Sequence, residues 1–178
     1  MPPPSPSPLV VLTIWTALLL YTAGEYGRTR RPAVAWARPV WLLGATAYLA
    51  HVAAAFATHH GWSHAAAYAY TAARTEALLG LAWGGGLWAN YAFTVLWAGE
   101  ALWWGTMPGS YARRARAWMP AVRGAFIFMI VNGAVVFVDG PGRWLGIAIV
   151  AALIAIWRAD GRANGRSGQP KAAAVGGA

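Results

Sequence analysis

Long apolar stretches separated by short arginine-rich blocks are the feature that most limits how this chain can fold. Of its 178 residues, 58% are hydrophobic and 11% are charged, where a soluble domain of this size carries about 25% charged residues. So much apolar surface needs lipid, and in lipid an α-helix satisfies its own backbone polar groups. The expected fold is therefore an all-α integral membrane protein, with the lipid bilayer as its first partner. The net charge of +9 would raise nucleic acid as a ligand in a soluble chain. Here the basic residues fall in blocks between apolar stretches and not along one face, which argues against nucleic acid. The absence of cysteine rules out disulfides, thiolate metal sites, iron–sulfur clusters and covalently attached haem. Thirteen arginines against one lysine, with abundant alanine and glycine, hint at a GC-rich bacterial coding sequence and hence a bacterial inner (plasma) membrane.

Spans can be marked at residues 9–26, 39–58, 78–104, 121–138 and 143–157, judged against the roughly 20 residues that cross a hydrocarbon core. They make one transmembrane domain over residues 1–158, a five-helix bundle with a short interfacial helix between the second and third spans. Residues 159–178 are rich in glycine, alanine and arginine without apolar periodicity, and are expected to form a disordered cytoplasmic tail. The opening MPPPSPSP lacks the basic start of a signal peptide and is expected to be retained.

Orientation follows from charge, because basic residues beside spans stay on the cytoplasmic side. Arg28, Arg30, Arg31 and Arg38 follow the first span. Arg113, Arg114, Arg116 and Arg123 precede the fourth, and Arg158, Arg162, Arg166 and Lys171 follow the fifth. These three blocks share one side only if there are five spans, which places the N-terminus outside and the C-terminus in the cytoplasm. The other loops carry Arg74 beside Glu76 and Arg143 beside Asp139, with no net basic charge.

Membrane helices associate through small residues and a few hydrogen bonds. Gly80 and Gly84, four apart, are the expected helix-packing positions of the third span. His51, Asn90 and Asn132 are expected at similar depth as intramembrane polar groups, and Glu100 near the inner end of its span, bridged to an arginine. Glu25 has Arg28 three residues away.

The chemically loaded segment is His51, His59, His60 and His64. Neutral imidazole suits iron, copper and zinc, and Glu76 would add an oxygen ligand to this nitrogen set near the outer face. His60 and His64 are four apart, but Ser63 is placed to cap a helix starting at His64, which would separate them. The H-E-x-x-H and E-x-x-H patterns of zincins and di-iron bundles are absent, as are Walker, Rossmann and nucleophile-elbow motifs, so no catalytic residues can be assigned. The leading reading is an accessory or structural subunit of a membrane complex, partnered by other subunits or a second copy. The alternative is a metal or redox protein using the histidines and a transition metal. A third is a proton-coupled transporter or channel using His51, Asn90, Asn132 and Glu100.

Overall fold

The structure, a computed structural model, describes residues 7–30, 33–115 and 117–167, all helix, turn or loop. Helix α1 spans Pro8–Arg28, starting at a proline that suits a first helical position and ending in Arg28, which suits the negative end of the helix dipole. Helix α2 (Ala37–Ala55) continues into a π-helical turn, Phe56–His60, closed by Gly61 at φ +53°. Helix α3 (His64–Leu79) follows, then α4 (Gly86–Thr106) and the short α5 (Pro108–Ala112). Helix α6 (Trp118–Ile130) also widens into a π-helical turn, Val131–Val136, and α7 runs Pro141–Ser167.

Among the described residues four helices are long and apolar enough to cross a bilayer: Pro8–Arg28, Ala37–His60, Trp118–Val136 and Pro141–Ala163. This marks the chain as a helical membrane protein. Leu12, Val95, Leu102 and Phe128 stand outward on the bundle, each more than half exposed, as side chains facing lipid do. Helix α4 is 21 residues long, carries Asn90, Glu100 and four tryptophans, and packs in the same bundle.

Two differences from the sequence reading concern span limits. The third apolar stretch does not form one helix from residue 78. Gly80, at φ +70°, caps α3, the next residues are not helical, and α4 begins only at Gly86. A cluster of four glycines explains the break, since glycine favours αL caps and disfavours helix interiors. Leu78, Leu79, Leu81 and Trp83, read as the start of the span, are exposed on the end of α3 and the loop. At the other end, α7 runs past residue 158 to Ser167, so the expected tail is helical where described, and residues 168–178 lie outside the described residues.

Packing is most extensive between α1 and α2. A Cβ on Gly24 would fall 2.7 Å from Trp41 Cβ, one on Gly27 2.8 Å from Ala37 Cβ, and one on Gly44 3.0 Å from the Tyr21 backbone nitrogen. Absent side chains thus bring these backbones together, a common basis of helix association in membranes. Gly80 has nothing within 4 Å of such a Cβ, and Gly84 lies in the loop against the Tyr68 carbonyl. Neither packs one span on another.

The core is aromatic. Tyr21 stacks on Phe126 at 4.1 Å between centroids and Tyr48 on Trp97 at 4.7 Å. Trp97 meets Tyr21 and Phe126 edge-on at 5.5 and 4.9 Å. These rings come from α1, α2, α4 and α6, so one cluster joins four helices. Below it, α1 and α4 end where α2 and α6 begin, and this end carries most of the arginines. The opposite end carries the histidines.

Candidate functional site

At the histidine end each imidazole has its own local environment. His51 Nδ1 meets the Val10 carbonyl at 3.0 Å, tying α2 to α1. His59 Nε2 accepts from the Ser7 amide at 3.4 Å. His60 packs edge-on to Phe56 and Tyr70, with ring centroids at 5.5 and 5.3 Å. His64 Nδ1 meets the Tyr91 hydroxyl at 3.0 Å. Ser63 caps α3 by accepting from the Ala66 amide at 3.2 Å, which puts His60 outside the helix that begins with His64. Glu76 is exposed on α3, three turns further on. Among the described residues no three histidines or carboxylates converge to hold a metal ion. His51, His59, His60, His64 and Glu76 therefore share one end of the molecule without sharing a centre.

Among the described residues His51, Asn90 and Asn132 do not bond one another. Asn90 and Asn132 each lie about one turn from the histidine end of their helices, and His51 lies nine residues from the end of its own. The Asn132 amide donates to the Phe128 carbonyl of its own helix at 2.7 Å, and Asn90 is exposed. A further polar bond between helices is Tyr48 to Thr94, hydroxyl to hydroxyl at 3.1 Å.

The organised chemistry lies at the arginine end, around two carboxylates. Glu25 is 1% exposed and Glu100 3%. Glu25 Oε1 accepts from the Trp41 indole at 3.1 Å, and Oε2 from the Trp157 indole at 2.8 Å and from Arg28. Arg123 Nε stands 3.9 Å away. One carboxylate thus joins α1, α2, α6 and α7. Glu100 takes no arginine among the described residues; it accepts from the Tyr111 hydroxyl and the Trp118 indole, both at 2.7 Å. This differs from the expected ion pair because α5 and the start of α6 fold over the end of α4 and deliver neutral donors. Burial raises the Tyr111 phenol above its ordinary range, the charge of Arg28 opposes that rise, and the bond to Glu100 adds to it.

Between these carboxylates lies a cavity of about 480 Å³ lined by Arg28, Trp104, Tyr111, Arg114, Met119, Arg123 and Asp160, among others. Arg123 pairs with Asp160 at 3.0 Å. Arg28, Arg114 and Arg123 lie over the rings of Trp104, Tyr111 and Trp157 respectively, which holds planar guanidinium groups in place. The sequence reading named Glu25, Glu100 and the arginines but missed Trp41, Tyr111, Trp118, Met119 and Trp157 as their partners. A signal was present. The chain has five acidic residues in all, and a carboxylate within an apolar helix needs donors close by.

No family model, curated protein or solved structure matches this chain.

Proposed function

We propose that the chain is a five-span protein of a bacterial inner membrane, N-terminus outside and C-terminus in the cytoplasm, with α3 along the outer interface. Its role in this reading is that of an accessory or structural subunit. What carries the reading is the commitment of the buried polar groups to holding helices together. Glu25 and Glu100 have their oxygens bonded to side chains of neighbouring helices, and His51 is bonded to α1. A proton path needs groups free to load and release, and a metal centre needs ligands aimed at one point. The arrangement favours assembly over both.

A place for a partner helix lies between α4 and α6. Ala89, Ala92, Phe93, Leu96, Ala125 and Phe128 line a lipid-facing groove of about 220 Å³ with almost no polar surface. Small residues along such a groove permit close approach of another helix, from a second copy or a different subunit. The test is the protein mass of the particle solubilised in mild detergent from its native membrane, measured by light scattering with the detergent contribution removed. The wild type is expected well above the 18.9 kDa of one chain. Ala92→Trp, which fills the groove, should bring it down to one chain. A wild-type particle already at the mass of one chain contradicts the subunit reading.

A further inference from the structure

We infer that the arginine-lined cavity is a binding site for a phosphate-type oxyanion, supplied either by the headgroup of an anionic lipid or by a soluble phosphate. The geometry of its donors points there. Arg28 Nη1 and Nη2 both stand 3.3 Å from Met119 Sδ, and Arg114 Nη2 stands 3.7 Å from the same sulfur. Two guanidinium groups on different elements thus converge on one atom, and that atom is a thioether, a weak and uncharged acceptor. An anionic oxygen at this focus would replace weak bonds by charge-assisted ones. Methionine is unbranched and flexible enough to swing aside.

The remaining donors agree. The Nε atoms of Arg28 and Arg114 are buried and make no hydrogen bond among the described residues, and Arg123 Nε has Glu25 at 3.9 Å. Guanidinium groups with unbonded donors are costly to hold together, and an anion at their outer nitrogens offsets that cost by charge. The acidic groups do not neutralise the cavity evenly. Glu25 serves Arg28 and stands near Arg123, and Asp160 serves Arg123. Arg114 has no carboxylate in ion-pair range among the described residues. It bonds the Tyr111 carbonyl through Nη1, leaving Nη2, at the Met119 sulfur, to the cavity.

Position favours a phosphate over a metabolite carboxylate. The cavity opens where α1, α4, α6 and α7 reach the arginine end, which in the proposed topology is the level of the cytoplasmic headgroups. Basic pockets between transmembrane helices on the cytoplasmic side are known to take such headgroups.

The test uses the full chain in a neutral detergent, following thermal unfolding by tryptophan fluorescence. One arm adds dioleoylphosphatidylglycerol, with dioleoylphosphatidylcholine as the zwitterionic control. The other adds inorganic phosphate or pyrophosphate at constant ionic strength. Saturable stabilisation by phosphatidylglycerol alone assigns a lipid headgroup, and saturation by free phosphate assigns a soluble ligand. In either arm Arg114→Gln should raise the half-saturating concentration about tenfold, the loss of one charge-assisted bond. Arg114→Lys, which keeps the charge and loses the fork, should fall between. Glu76→Ala, at an exposed position on α3 away from the cavity, should bind as the wild type does. The inference is overturned if neither arm saturates, or if Arg114→Gln and Arg114→Lys both bind as tightly as the wild type.

Discussion

A buried carboxylate in a membrane helix is stable only with donors around it, and Glu25 shows how many helices one such group can recruit. Replacing it by alanine strands Arg28 and two indoles. The expected loss is about 3–5 kcal/mol, as for breaking a buried ion pair, read as a lowered unfolding midpoint in detergent. Glu76→Ala, at an exposed position, should stay within about 0.5 kcal/mol. Tyr111 makes a pH-dependent contribution. Its phenol titrates higher folded than unfolded, so its stabilisation is complete below the unfolded value of about 10 and is lost as pH rises through the folded one. Tyr111→Phe should therefore destabilise the protein at pH 7 and show a smaller further loss above pH 10, measured as unfolding midpoint against pH. The pairing of Glu25 with Arg28 was legible because the two are one turn apart. The bond from Trp157 was not, because only tertiary packing brings residues 25 and 157 together.

At the scale of elements, helices were legible wherever apolar length and a cap or breaker agreed. Ser63 as the cap of α3 is one case. The third span was misplaced because hydropathy counts Leu78, Leu79 and Leu81 without regard to the glycines among them, whose backbone freedom ends one helix before another starts. The packing glycines were misplaced for a related reason. Gly80 and Gly84 have the right spacing, but Gly80 faces open space and Gly84 lies in a loop against α3, whereas Gly24, Gly27, Gly44 and Gly146 bring one long helix onto another. Ala17, Tyr21 and Gly24, at i, i+4 and i+7, already marked that face of α1. Gly24→Val should abolish or sharply reduce the yield of folded protein in size-exclusion chromatography, since its side chain would meet the backbone of Trp41. Gly80→Ala meets open space and should cost only about 1 kcal/mol for its left-handed backbone.

For the whole molecule, charge and chemistry divide between two ends. Arg28, Arg114, Arg123 and their carboxylates gather at one end, and His59, His60 and His64 at the other. This division was readable from the order of arginine blocks along the chain, because alternating loops of a bundle fall on alternate sides. The separation of His60 from His64 was readable from Ser63, but the separate partners of His51, His59 and His60 were not. Four histidines within fourteen residues look like a cluster until a helical turn, a cap and separate local partners divide them.

In the proposed topology the arginine end faces the cytoplasm and the histidine end faces outward. A chain without cysteine permits a direct measurement. Single cysteines at the exposed positions Ala65, on α3, and Ala117, before α6, are challenged with a membrane-impermeant maleimide on intact cells and again after permeabilisation. The account predicts labelling of Ala65→Cys in intact cells and of Ala117→Cys only after permeabilisation. The reverse pattern, or labelling of both in intact cells, contradicts it.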